Sequence, residues 1–198
     1  MNKEIEAKYF IENKNYTRQQ IKDLGLKLIK PEFLMKRKVF DKGEQNKYVR
    51  IRDEGNKITM TFKHITGTTI DDVKEVEIEV NNFESASEII NQTDFKEKSF
   101  QENLREIWRN EEVEIVIDTW PFLQPYIEIE ADNKKIVEKY SKFLGFNMQM
   151  NAFFGTVNVL YKEQYNIPNE ELIKIPKIVF DDFDLLRDLN KFKENKHI

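Results

Sequence analysis

Six short stretches of the chain alternate charged with apolar residues, and the charged members are of ion-binding types. Side chains on a strand point alternately to opposite faces. On that rule Glu4, Glu6 and Lys8 share one face, as do Tyr48, Arg50 and Arg52 further on. Thr59, Thr61 and Lys63 form a third set, and Glu75, Glu77 and Glu79 a fourth. Glu112, Glu114 and Asp118 form a fifth, and Tyr126, Glu128 and Glu130 a sixth. Arginine forks suit bidentate contact with oxyanions, and a lysine acts as a compact point charge. Carboxylates are the hard oxygen ligands of small divalent cations. Facing one another, such stretches would make a site with an anion-binding wall and a cation-binding wall. Paired carboxylates also serve glycoside hydrolysis, but sugars have no need of the surrounding basic residues.

The elements that must carry these residues follow from pattern and punctuation. Residues 2–11, 26–40, 47–53, 57–63, 73–80 and 125–131 read as strands, and 99–118 as a hairpin turning at Asn110-Glu111. DEGN at 53–56 makes the turn of a second hairpin over 47–63. Helical spacing appears at 16–25, with Thr17 as cap and Gly25 as stop, and again at 83–91, 133–145 and 181–194. TWPFLQP at 119–125 is a loop. The count is about eight strands, with short links that favour antiparallel neighbours.

The 198 residues suffice for one domain, and 15 Phe and 2 Trp supply bulk for a core despite 34% charged residues. With no Cys, disulfides and thiolate metal sites are excluded. No apolar run approaches the ~20 residues of a membrane span, and the N-terminus lacks an apolar signal region. The expected setting is therefore cytoplasmic and without a membrane partner. A net charge of -4 argues against nucleic acid as a partner.

Periodicity leaves two arrangements open. In one, the ionic faces are solvated and helices cover the apolar ones. In the other, the ionic faces line the interior of a barrel, which is feasible only with metal, water and a charged ligand inside.

The ordered set of motifs favours the second. EIEAK at 4–8, YVRIR at 48–52, Lys63, EVEIEV at 75–80, LREIWR at 104–109, Asp118 and YIEIEA at 126–131 resemble, in type and order, the CYTH domains, also called triphosphate tunnel metalloenzymes. The resemblance covers roughly residues 2–165; the tail over 166–198, with its helix, has no counterpart. Ala7 stands where many members carry a basic residue. Arg105 is chosen over Arg109 because it lies three residues before Trp108 and ahead of the Asp118 strand.

The resemblance implies an α+β fold: an eight-stranded antiparallel barrel, or tunnel, with helices packed outside. It implies that Lys8, Arg50, Arg52, Lys63 and Arg105 bind a triphosphate, whose roughly four negative charges call for several cations. It implies Mg²⁺ or Mn²⁺ held by Glu4, Glu6, Glu128 and Glu130, with Glu77, Glu79 and Asp118 behind them. Lys8, Glu6 and Glu130 would be the catalytic residues. The expected activity is hydrolysis of tripolyphosphate, a nucleoside triphosphate or thiamine triphosphate by a monomer or homodimer. The alternative is a class IV adenylyl cyclase, which forms cyclic AMP and pyrophosphate from ATP; a third reading is triphosphate binding without turnover. His64 points away from Lys63 and reads as a bystander, and Trp108 and Trp120 as packing residues.

Overall fold

The computed structural model describes residues 5–43, 46–65 and 73–194. Glu4 lies outside them. The elements, in order, are β1 (Ile5–Phe10), α1 (Lys14–Asp23), β2 (Lys27–Asp41), β3 (Lys47–Asp53), β4 (Ile58–Ile65), β5 (Val73–Val80), α2 (Phe83–Asn91) and β6 (Lys96–Arg109). There follow β7 (Glu114–Thr119), β8 (Tyr126–Ala131), α3 (Lys134–Phe143), α4 (Asn158–Tyr165), α5 (Asn169–Leu172), β9 (Lys177–Ile178) and α6 (Phe183–Glu194). The β1–β8, β2–β3, β3–β4, β4–β5, β6–β7 and β7–β8 pairings are antiparallel, and the short β9 runs parallel to β6. None of the described helices is long and apolar enough to cross a membrane.

The chain forms two compact units. The first comprises Met1–Phe33, Leu104–Leu172 and Phe183–Ile198. Its strands run β1-β8-β7-β6. Ala7 and Tyr9 of β1, Ile115 and Ile117 of β7, and Ile127 and Ile129 of β8 turn one face toward Ile21 of α1 and Val137 and Tyr140 of α3. All of these are almost fully buried. Trp108 joins the same core, 2% exposed, as its packing role requires.

The second unit comprises Leu34–Asn103 and Ile173–Asp182. Its strands run β6-β2-β3-β4-β5. Phe40, Val49 and Ile51 pack against Ala86, Phe83 and Ile90 of α2. Each unit thus sets its helices on the apolar strand faces, which leaves the charged faces on the opposite side.

Two local details differ from the sequence expectation. Helix α1 begins at Lys14, capped by Asn13, whose side chain accepts from the backbone N–H of Asn15 and Tyr16. Thr17 is inside the helix and buried, its hydroxyl donating back to the Asn13 carbonyl. Both residue types cap helices, and the Asn13 side chain is the one that reaches the free N–H groups of the first turn. The 146–182 stretch also holds α4, α5 and β9, which carry no clear periodicity. Helix α4 is only eight residues long and has no side-chain cap, so packing rather than propensity holds it.

Candidate active site

In the first unit the site begins with strand register. Glu6 lies opposite Glu130, and Lys8 opposite Glu128, across the β1–β8 ladder. Glu114 lies opposite Glu130, and Asp118 opposite Tyr126, across β7–β8. Arg105 lies opposite Asp118 across β6–β7. Lys8, Arg105, Asp118, Tyr126, Glu128 and Glu130 therefore share one face with Glu6.

The middle of that face is buried, while the Glu6 side chain at its edge is 41% exposed. Lys8 is 4% exposed, Glu128 7% and Asp118 0%. Burial of charge is tolerable only with close partners, and these are present. The Lys8 ammonium lies 2.5 Å from Glu6 Oε1 and 2.7 Å from Glu128 Oε1. The Arg105 fork donates from Nε and Nη2 to the two Asp118 oxygens at 2.9 and 2.6 Å. Arg105 Nη2 also reaches Glu128 at 3.4 Å, and the Tyr126 hydroxyl donates to Asp118 at 3.3 Å.

These contacts divide the carboxyls. Burial, with a hydrogen bond shared with Glu6, pushes Glu128 up against the opposing pull of Lys8 and Arg105. Burial also acts to raise Glu6, but its hydrogen bonds with Glu128 and Lys8 and the nearby cations outweigh it and hold Glu6 low. Lys8 is held above its usual value: burial disfavours its charge, and the Glu128 and Glu6 carboxyls more than compensate. Arg105 likewise stays charged against burial because Asp118 and Glu128 face it.

In the second unit Arg50 and Arg52 on β3 face Thr61 and Thr59 on β4, which in turn face Glu77 and Glu79 on β5. Thr61 donates to Glu77 at 2.7 Å. That bond, helped by the charges of Arg52 and Arg50 against slight burial, holds Glu77 below the usual carboxylate range. Lys63 pairs with Glu75 at 2.9 Å and Arg52 with Glu54 at 2.9 Å. Arg50 Nε is buried without a hydrogen-bond partner among the described residues. Glu75, Glu77 and Glu79 are exposed, as are Val76 and Ile78 beside them.

The structure thus brings Glu6, Lys8, Arg105, Asp118, Glu128 and Glu130 onto one face of the first unit. It brings Arg50, Arg52, Lys63, Glu77 and Glu79 onto one face of the second. Arg109, the alternative to Arg105, is more than half exposed and pairs with Glu114. Among the described residues no three acidic or histidine side chains stand close enough to hold a metal. The donor chemistry still fits a hard divalent cation, since Glu6, Glu128 and Glu130 offer only carboxylate oxygens at adjacent ladder positions.

Three features escaped the sequence reading. Glu106, next to Arg105 and so on the apolar face, is buried, held by Arg18 of α1 at 2.7 Å and by the Trp108 indole N–H at 2.5 Å. This is a structural ion pair, signalled only by parity with Trp108. Glu54 partners Arg52 from the hairpin turn, where strand alternation does not apply. Arg37 on β2 lies directly opposite Arg52, and the run Lys36-Arg37-Lys38 does not reveal which of its three cations faces that way.

The profile of the CYTH domain matches residues 2–146. A candidate adenylate cyclase of Methanocaldococcus jannaschii is 32% identical over 146 residues, covering 69% of this chain and 81% of that protein. A solved structure of a Pyrococcus horikoshii protein superposes with a TM-score of 0.66 at 23% identity, over 80% of this chain and 99% of that one. A Hippeastrum protein, described as a candidate adenylyl cyclase with a dominant triphosphatase activity, superposes with a TM-score of 0.51 at 16% identity, over 84% and 98%.

Proposed function

Because the chain belongs to the CYTH domain family, we propose that it is a divalent-metal-dependent hydrolase of a triphosphate. Members of the family are triphosphatases or class IV adenylyl cyclases, and the chain is an enzyme of that kind. The observation that carries the hydrolase reading is the buried ionic face of the first unit, where Lys8 sits between two carboxyls and Arg105 is locked on Asp118. Keeping so many charges out of water is costly, and a polyanion with a metal ion is the ligand class that balances both signs. With this reading go the closed eight-stranded barrel of the family and a catalytic region over residues 1–165, the tail packing upon it.

In this proposal Arg50, Arg52 and Lys63 bind phosphoryl oxygens, and Lys8 and Arg105 do so beside the carboxylates. Glu6, Glu128 and Glu130, with Glu4, would hold Mg²⁺ or Mn²⁺; Glu77, Glu79 and Asp118 are weaker candidates. Asp118 has both oxygens committed to Arg105, which favours a positioning role for it. The bound cation would neutralise phosphate charge and acidify a water for in-line attack. The residues do the remaining work: the guanidiniums orient the chain, and Lys8 offers its proton-bearing Nζ where charge develops.

The test is a substrate panel of tripolyphosphate, nucleoside triphosphates and thiamine triphosphate with Mg²⁺ or Mn²⁺, with products identified. Orthophosphate release is expected. The relationship to the M. jannaschii protein favours a second reading, the cyclase; cyclic AMP plus pyrophosphate from ATP would establish it and overturn hydrolysis. Glu130→Gln should remove most metal-dependent turnover, about a hundredfold or more, while leaving metal-free triphosphate binding intact. Full activity in that variant would refute the ligand assignment.

A further inference from the structure

Three cations follow one another at Lys36-Arg37-Lys38, and register separates them. Lys36 and Lys38 lie opposite Asp53 and Ile51 on β3, on the side where Lys38 pairs with Glu84 of α2 at 2.9 Å and with Glu97 at 3.6 Å. Arg37 alone turns to the other face, directly opposite Arg52, with Arg50 two residues further along β3. Directly opposed side chains sit about 5 Å apart at Cβ, and like charges there repel. Two residues of strand add about 7 Å. The second unit therefore presents a plate of three guanidiniums on two adjacent strands.

The plate is oriented by groups of two kinds. Glu54 balances Arg52. Arg37 Nη2 donates to the amide oxygen of Asn103, which is fully buried on β6, and to Met35 sulfur. An amide fixes the direction of a guanidinium fork, and fork rigidity is what bidentate oxyanion contact requires.

We infer that Arg37 is a substrate-contacting, specificity-determining residue, which together with Arg50 and Arg52 selects a chain of three phosphoryl groups over a shorter one. The inference rests on the triphosphate reading of the same face. A triphosphate reaches the whole plate and relieves the Arg37–Arg52 repulsion, whereas pyrophosphate leaves part of the plate without an anion. Asn103 is then a positioning residue for Arg37.

The experiment is calorimetric titration of tripolyphosphate and pyrophosphate, in chelator, into the wild-type protein and the Arg52→Gln, Arg37→Gln and Arg37→Lys variants. Arg37→Gln should weaken tripolyphosphate about ten- to hundredfold, the range for one charge-assisted bond, and weaken pyrophosphate much less. Arg37→Lys should lie between, and decides the matter if the glutamine variant does not fold. Equal weakening of both ligands, or Arg37 variants that bind like wild type while Arg52→Gln is weakened, would overturn the inference and leave the proposed function standing. A wild-type protein that binds neither ligand would overturn the proposed function itself and this inference with it.

Discussion

Arg105→Met should cost the protein about 3–5 kcal/mol of stability, the usual result of removing one partner from a buried ion pair. Asp118 is 0% exposed, and both its oxygens accept from the Arg105 fork, with the Tyr126 hydroxyl donating at the longer distance of 3.3 Å. Glu128 loses its 3.4 Å contact at the same time. Methionine fills much of the space, so the loss reports charge rather than packing. Arg105→Met with Asp118→Asn should recover much of the deficit, because the amide needs no counter-ion. Urea denaturation of the four proteins closes the cycle. A single-variant loss below about 1 kcal/mol, the range of an exposed pair, would show that this pair does not behave as buried.

Lys8→Met should have the second large effect, and its pH dependence is the diagnostic part. The ammonium is 4% exposed and bridges Glu6 and Glu128. Without it, a buried Glu128 charge loses its closest counter-ion, at a cost of about 3–5 kcal/mol near neutral pH. Burial and the bond shared with Glu6 already raise Glu128. A carboxyl raised in the folded state contributes stability that is fully present below its unfolded pKa and lost as pH rises through the folded one. The Lys8→Met deficit should therefore shrink as pH falls toward the ordinary Glu value of about 4.3.

In the wild-type protein Glu6 acts in the opposite sense. Held low, it contributes stability above the ordinary carboxylate value, lost as pH falls through its folded pKa. Lys8, held high, contributes below the ordinary lysine value, lost only as pH rises through its folded pKa. Denaturation of the metal-free proteins at pH 4.5 and 7.5 checks this. An equal Lys8→Met deficit at both values would show that Glu128 does not carry the missing charge. Turnover should fall in this variant whatever the pH, since Lys8 is proposed to contact substrate.

Strand alternation is a local property, so Glu6 with Lys8, Arg50 with Arg52 and Glu128 with Glu130 were assigned to common faces from sequence alone. The Gly25 stop, the turn at 53–56 and the apolar faces of β1, β3 and β8 were legible for the same reason: each depends on a few neighbouring residues. Motif order identified the family, because seven charged elements in sequence constrain one another more than any single one does.

What lay beyond reach depends on register and packing between distant segments. Only the β2–β3 register shows that Arg37, and neither Lys36 nor Lys38, faces Arg52. Only the β6–β7 register sets Arg105 against Asp118, so two residues read separately as an anion ligand and a metal ligand prove to be partners. Burial is likewise tertiary. The same alternating pattern gives an ionic face that is almost wholly buried at Lys8, Asp118 and Glu128, and one that is exposed at Glu75, Glu77 and Glu79. The sequence by itself determined which residues share a face and to which family the chain belongs; the tertiary structure decided which faces meet and which are closed to water, because pairing across strands and exclusion of solvent arise from residues far apart in the chain.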